Sequence, residues 1–384
     1  MIVDNNMTYT KIEETEDGLG DGDITSPFST KDIKITNAPI LLPSLIKKLE
    51  YDEIDLAPDF QRHADLWDNN KVSRLIESIL LKLPLPVFYF DVSNPDKWVV
   101  VDGLQRLSAI KKFFVDKDNA DKNNFKLKNL EFLIDLNGKT YQDLERPLQR
   151  TIDDTQLVTY QIEGQTPKKV RYSIFNRINT GGLILNAQEI RQALNQEGNG
   201  TVPCSGVKFL SEVAEDFVFK RVVGISNKRM AGQELVLRFI AFKVLEISEY
   251  TIMSEFLDSA MEVIDKKKDE ELTLLKQSLI NVLNYSEEIL GREHKFSRAI
   301  SNENQNKRVN KSLFDVLTVC FDEIEEKKIF LDRKDRFVTK LKTLLQDETS
   351  DFFESITKGT SGKKAMERRF ITIRNLIQEV INED

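Results

Sequence analysis

The segment Asp102–Arg106, which reads Asp-Gly-Leu-Gln-Arg, combines residue types that could hold a phosphate group. Gly103 lets the backbone approach a phosphate without a side chain in the way, and Arg106 offers a planar fork of donors for phosphate oxygens. Asp102 could hold Mg²⁺ or orient water, and Gln105 could position an attacking water. These residue types at this spacing predict a phosphate-binding turn.

The elements on either side of this segment would place it at the junction of a strand and a helix. The β-branched run Val99–Val101 predicts a buried strand, and the apolar residues at positions 107, 110, 113 and 114 have helical spacing. Such a junction presents unpaired N–H groups and the positive end of a helix dipole, which suit an anion. The alternative is a plain strand–turn–helix with solvated polar residues, because short glycine motifs are common by chance.

Asp102–Arg106 resembles the Asp-Gly-Gln-Gln-Arg signature of the GmrSD-type restriction enzyme N-terminal domain family, a branch of the ParB/sulfiredoxin-like superfamily. Further matching segments occur in the family's order, Pro58–Arg62 upstream and Ile174–Gly182 and Glu189–Arg191 downstream. The resemblance covers residues from about 38 to 195. Leu104 stands where the family usually has its first Gln, so nucleotide binding with slow or absent hydrolysis is the alternative to turnover.

The resemblance implies an α+β fold, with a ParB/sulfiredoxin-like N-terminal domain built on a small mixed sheet. It also implies that Gln61 and Arg62 lie beside the Asp102 turn and contact a nucleotide, and that Arg177 and Asn179 are further nucleotide contacts. The alternative for Arg62 is an ion pair with a surface carboxylate. The alternative for Arg177 is a helix C-terminal charge that complements the dipole.

Two activities known among relatives are not expected here. Many family members carry a C-terminal HNH nuclease, which needs a histidine set on a ββα element. This chain has two histidines, and its C-terminal half has helical periodicity, so we expect a compact member without an HNH domain. A sulfiredoxin-like reductase is excluded because the family's catalytic cysteine would fall at Leu104.

Composition and periodicity predict three regions: a flexible acidic tail over residues 1–30, the ParB-like nucleotide-binding domain over 31–200 and an all-helical domain over 201–384. In the second region we predict helices over 41–50 and 69–82, strands over 87–90, 99–101, 132–136 and 155–162, and a helix capped by Thr166. In the third we predict helices over 207–219, 232–247, 248–268, 270–290, 311–327, 332–348 and 362–382.

A basic cluster near the C-terminus is a weaker candidate for nucleic-acid contact. The preceding Gly359–Lys364 echoes a phosphate-binding loop but lacks its glycine spacing and a Ser or Thr after the lysine. We therefore expect Ser361 to be a helix N-cap. The cluster that we expect on a solvated helix face comprises Lys363, Lys364, Arg368 and Arg369.

Composition limits the class of protein. A hydrophobic content of 40% with 31% charged residues is typical of a soluble globular protein. The net charge of −8 means that the protein as a whole does not attract nucleic acid electrostatically, although a local basic patch is not excluded. Only two cysteines, no apolar stretch long enough to cross a membrane and an acidic N-terminus predict a cytoplasmic protein.

These observations favour an NTP-binding and NTP-hydrolysing module of an antiphage or restriction-type defence system that acts on DNA or is regulated by it. Mg²⁺ at Asp102 and the NTP itself are the expected cofactor and ligand. The alternatives are a non-catalytic nucleotide-dependent DNA-binding switch and a Mg²⁺-dependent nuclease that nicks DNA. Expected partners besides the nucleotide are DNA and either a second copy of the chain or a defence-system protein, with no membrane.

Overall fold

The computed structural model describes residues 12–13, 33–56, 67–116, 125–167, 170–171, 174–175, 178, 186–195, 204–291, 293, 295–302 and 307–383. The chain divides into two compact units, and each is described by itself. The N-terminal unit comprises residues 27–203, and the helical unit comprises residues 204–384 together with 1–26.

The N-terminal unit contains a five-stranded mixed sheet. Its strand order is β1-β7-β4-β5-β3, with β7 parallel to β4, β5 parallel to β3 and the other pairs antiparallel. A separate antiparallel pair joins β2 to β6. The strands are β1 (Ile35–Asn37), β2 (Ile40–Leu41), β3 (Ile54–Asp55), β4 (Phe88–Asp91), β5 (Trp98–Asp102), β6 (Gln156–Leu157) and β7 (Thr159–Ile162).

Helical segments cover both faces of this sheet. Phe88, Phe90 and Val100 belong to the core formed with the first four helices, whereas Val101 packs with Ile162 and two apolar residues from the chain beyond β7. Strand β5 is buried on both faces, which explains why its sequence contains the uninterrupted β-branched run Val99–Val101. The helices are α1 (Leu42–Glu50), α2 (Asn69–Leu80), α3 (Leu104–Phe114), α4 (Arg146–Asp153) and α5 (Ala187–Leu194).

The predicted strand over residues 132–136 is wrong, because a buried carboxylate organises this part of the backbone instead. Residues Ile134–Leu136 form a single 3₁₀ turn. Just before it, Glu77 Oε1 accepts N–H groups from Phe132 at 2.7 Å and Leu133 at 2.8 Å, and both Glu77 oxygens lie 3.1 Å from the N–H of Glu131. A backbone whose N–H groups converge on one carboxylate cannot also donate them to a neighbouring strand.

Replacing Glu77 with glutamine is expected to lower the free energy of unfolding by about 2 kcal/mol at neutral pH, because three charge-assisted bonds are lost or weakened. Burial raises the pKa of Glu77, but the N–H groups of Leu133, Glu131 and Phe132 outweigh it and hold the pKa below its ordinary value. The stabilisation is therefore present above the unfolded pKa and is lost as the pH falls through the lowered folded pKa.

Urea unfolding of the Glu77→Gln variant at pH 7 and at about pH 3 measures this effect, with the difference from the unaltered protein shrinking at the lower pH. The exposed Glu131 supplies a matched control, since only its backbone takes part in the cluster. A Glu131→Gln variant that loses as much stability as Glu77→Gln would contradict the assignment.

The helical unit consists of ten α-helices among its described residues, and the predicted α+β architecture followed by an all-helical region is confirmed. The helices are α6 (Ser205–Ala214), α7 (Phe217–Val223), α8 (Ala231–Val244), α9 (Met253–Ile264), α10 (Asp269–Leu290), α11 (Lys311–Asp322), α12 (Lys327–Asp332), α13 (Lys334–Gln346), α14 (Asp351–Thr357) and α15 (Lys363–Asn382). Among the described residues, none of the helices is long and apolar enough to cross a membrane.

Most of the predicted acidic tail lies outside the described residues, but Ile12 and Glu13 pack within the helical unit. The Glu13 carboxylate accepts bonds from Arg298 Nη2 at 2.6 Å and Asn310 Nδ2 at 2.9 Å. The Glu13 N–H donates to the carbonyl of Val309 at 2.7 Å. This short stretch is therefore fixed to the helical unit by both side-chain and backbone bonds.

Two predictions at the start of α15 are wrong. The N-cap is Gly362, not Ser361, whose carbonyl instead accepts bonds from Met253 N–H and Tyr250 Oη. The basic cluster also does not share one solvated face: Arg369 is fully buried, and its Nη1 donates to the carbonyl of Thr360 at 2.7 Å. The cluster residues that remain exposed are Lys363, Lys364 and Arg368.

Candidate functional site

The predicted strand–glycine–helix junction is present in the N-terminal unit. Strand β5 ends at Asp102, Gly103 has φ of +104°, and α3 begins at Leu104. Glycine is required here for two reasons: the backbone is left-handed, and an added Cβ would lie 2.5 Å from Cδ1 of Phe88. The turn is thus closely packed on its Phe88 side.

Arg106 is bound within the protein through both terminal nitrogens of its guanidinium group. Its Nη1 donates to the carbonyl of Pro86, and its Nη2 donates to the carbonyl of Val87 at 3.1 Å and to Asp102 Oδ2 at 2.9 Å. The guanidinium carbon lies 4.3 Å from the centre of the Phe88 ring. Burial lowers the pKa of Arg106 while the Asp102 charge opposes the shift, and an arginine remains charged under these conditions. The side chain therefore ties the end of β5 to the segment that enters β4.

Asp102 keeps one carboxylate oxygen out of this contact. Its side chain is 25% exposed, Oδ2 accepts from Arg106, and Oδ1 accepts no hydrogen bond from a described residue. Within the described part of the chain, no three metal-ligating side chains cluster. Mg²⁺ is commonly held by one carboxylate together with phosphate oxygens and water, and Asp102 Oδ1 could take part in such an arrangement.

The first turn of α3 offers backbone donors beside Asp102. The N–H groups of Leu104 and Arg106 donate to no described residue, and Gly103 provides no side-chain cap. Unsatisfied N–H groups at the positive end of a helix dipole favour a negatively charged ligand. The Leu104 side chain packs against the core and leaves this backbone edge to its N–H groups.

Gln105 has a contact that the sequence did not reveal. Its Oε1 accepts the N–H of Trp67 at 2.9 Å, and Trp67 packs against the same core as α3. The amide oxygen that we expected to orient a water therefore holds the chain just before α2. Nothing in the local sequence indicates this bond, because its two residues are separated by 38 positions.

The chain after β7 packs against the face of the sheet opposite the first four helices. Phe175 and Ile190 form a small core with Val101, next to Asp102. Helix α5 is capped by Asn186, whose Oδ1 accepts from the Glu189 N–H at 2.9 Å while the Asn186 N–H donates to Glu189 Oε2 at 2.7 Å. Glu189 thus closes a capping box, a structural role within a family-matching segment.

A buried ion pair that sequence reasoning missed fixes the start of this segment to the sheet. Arg171 Nη1 donates to Asp91 Oδ2 at 2.9 Å, and both residues are buried. Asp91 also accepts the N–H of Ser93 at 2.8 Å. The remaining predicted contact residues, Gln61, Arg62, Arg177 and Asn179, lie outside the described residues and stay predictions.

The N-terminal unit is thus an α+β domain with a glycine junction suited to an anion at the end of a central strand. Residues 44–195 match the family model described as GmrSD restriction endonuclease, N-terminal domain. Over this range the chain is similar to that domain family, which suggests a component of a restriction-type defence system. No curated protein and no solved structure matches the chain. The absence of an HNH domain stays a prediction.

Proposed function

We propose that the N-terminal unit binds a nucleoside triphosphate with Mg²⁺ at the Asp102–Arg106 junction and hydrolyses it, as the nucleotide-dependent module of a defence system that acts on DNA or is regulated by it. One observation carries this proposal. A positive-φ glycine separates Asp102, whose Oδ1 accepts no hydrogen bond from a described residue, from the first turn of α3, where the N–H groups of Leu104 and Arg106 donate to no described residue.

Each residue of the junction has a distinct part in this proposal. The N–H groups of Leu104 and Arg106 would receive phosphate oxygens, and Asp102 Oδ1 would bind the Mg²⁺ that bridges them. The Arg106 guanidinium fixes the Asp102 carboxylate through Oδ2, which would leave Oδ1 for the Mg²⁺. Gln61, Arg62, Arg177 and Asn179 are proposed as further nucleotide contacts on the family resemblance alone.

Asp102→Asn is expected to reduce Mg²⁺-dependent phosphate release from an NTP by about 100-fold, because the amide is a poor ligand for Mg²⁺. The amide oxygen can still accept from Arg106, so the fold is retained and a urea-unfolding curve checks this. Asp96→Asn, an exposed change at the other end of the β4–β5 hairpin, is the matched control. Equal release by all three proteins, insensitive to EDTA, would contradict hydrolysis at this site.

A second candidate, a non-catalytic nucleotide switch that retains DNA, is favoured by the engagement of Gln105 and Arg106 within the protein. Leu104 adds to this, since it replaces a family glutamine. The switch predicts nucleotide affinity without turnover and DNA retention that depends on nucleotide. Binding isotherms with and without nucleotide separate it from the hydrolase, and supercoiled plasmid with Mg²⁺ in the same assay reports DNA nicking.

A further inference from the structure

Gln105 links the first turn of α3 to the residues that begin α2. Its Oε1 accepts the Trp67 N–H at 2.9 Å, one residue before Asp68, whose Oδ1 caps α2 by accepting N–H groups of Asn70 at 2.8 Å and Lys71 at 3.0 Å. The Asp68 cap and the Gln105 side chain therefore both hold the start of α2.

A second link between the same helices lies further from the junction. Lys112 Nζ donates to Asn69 Oδ1 at 2.8 Å. Gln105 occupies the second position of α3, whereas Lys112 lies two turns later along the helix. Only the Gln105 link is therefore next to the proposed phosphate site, and Lys112 offers an internal comparison with the same two helices and a similar contact.

The chain before α2 also reaches the same end of the sheet. Asp55 of β3 pairs in parallel with Val99, so β3 and β5 both run towards the end of the sheet where Asp102 lies. The described residues before and after residues 57–66, Leu56 and Trp67, thus both lie on the junction side of this domain. The Gln105–Trp67 bond sets the position of the second of these flanks.

We propose that Gln105 is a positioning residue of the nucleotide site, which holds Trp67 and the start of α2 against the first turn of α3, rather than a residue that orients the attacking water. This inference rests on the proposed function. A glutamine held by a backbone bond keeps both its own rotamer and the adjoining N–H groups in place. Its loss should weaken nucleotide binding and leave the chemical step unchanged.

The test combines hydrogen exchange at the Trp67 amide with nucleotide kinetics. Gln105→Met should speed exchange of the Trp67 amide by about fivefold to tenfold, as expected for the loss of one hydrogen bond. Gln105→Glu keeps an acceptor oxygen and should restore protection. In kinetics, Gln105→Met should raise KM about fivefold with kcat within about twofold of the unaltered protein. Lys112→Met, which removes a bond to Asn69 but none to Trp67, should change Trp67 exchange and KM less than Gln105→Met does.

Two different failures can be told apart. Unchanged Trp67 exchange in Gln105→Met, or a fall in kcat at constant KM, overturns the positioning role while leaving nucleotide binding intact. If the unaltered protein itself binds no NTP by calorimetry, the proposed function is overturned, and with it a role for Gln105 in a nucleotide site. Accelerated exchange that Glu restores, together with a change in KM alone, supports the proposal.

Discussion

Replacing Arg106 with methionine is expected to lower the free energy of unfolding of the N-terminal unit by about 3–5 kcal/mol. The substitution keeps an apolar stem over Phe88 but removes donors to two carbonyl groups and to the Asp102 carboxylate. A buried carbonyl left without its donor destabilises the fold because it bonds neither to protein nor to water. A carboxylate left without its counterion destabilises it more. The large effect arises because one side chain serves three acceptors.

Urea unfolding followed by tryptophan fluorescence measures this loss of stability in the N-terminal unit. The chain has two tryptophans, Trp67 and Trp98, and both lie in the N-terminal unit. Arg150→Met, an exposed change in α4, is the control and should shift stability by less than about 0.5 kcal/mol. An Arg106→Met variant as stable as this control would contradict the structural role of Arg106 and favour the alternative that its guanidinium binds phosphate.

This expectation affects how activity data are interpreted. A variant of Arg106 that releases no phosphate would not show that the guanidinium contacts the nucleotide, because partial unfolding of the junction gives the same result. Asp102→Asn retains an acceptor for Arg106 and is the more informative substitution. Together, the two variants separate the contribution of Arg106 to the stability of the site from the contribution of Asp102 to hydrolysis.

The junction could be predicted from the sequence because all of its determinants are adjacent in the chain. A β-branched run, a glycine and residues with helical spacing occupy Val99–Phe114 without interruption, and each acts through local geometry. Glycine at a left-handed position is a local requirement of this kind. The strand, the turn and the helix therefore appear where the pattern places them.

The partners of the charged side chains could not be predicted, because they are distant in sequence. Arg106 finds two of its acceptors 19 and 20 residues upstream, and Glu77 takes N–H groups from residues 54 to 56 positions downstream. An apolar run such as Phe132–Leu136 looks like a strand when that carboxylate is not considered. Tertiary contacts chose the partners of Arg106 in the first case and overrode the local strand preference in the second.

Arg369 shows the same limit within one helix. Its neighbours Met366, Phe370 and Ile373 form the buried face of α15, and Arg369 lies beside them on the helix surface. We expected a charged residue to stay solvated, as most are. The carbonyls of Thr360 and Ser355, which lie before α15, provide the acceptors that allow its burial.

The helical unit depends on a buried ion pair between α8 and α11, and breaking it is expected to cost about 3–5 kcal/mol. Arg238 is 2% exposed and Asp315 is fully buried. Arg238 Nε lies 2.9 Å from Asp315 Oδ1, and Nη2 lies 2.7 Å from Oδ2. Arg238→Met would leave the Asp315 carboxylate without its bidentate partner in the core, which is where an uncompensated charge is most costly.

Thermal and urea unfolding followed by circular dichroism at 222 nm measures this loss against an exposed pair of the same geometry. Arg374 Nε and Nη2 lie 2.9 and 2.8 Å from the Glu323 carboxylate, but both side chains are about 40% exposed. Arg374→Met should therefore cost less than about 1 kcal/mol. The double variant Arg238→Met/Asp315→Leu should regain most of the loss, because two apolar side chains replace the buried charges. If Arg238→Met lowered the free energy of unfolding no more than Arg374→Met does, burial of the Arg238–Asp315 pair would not increase the cost of breaking it.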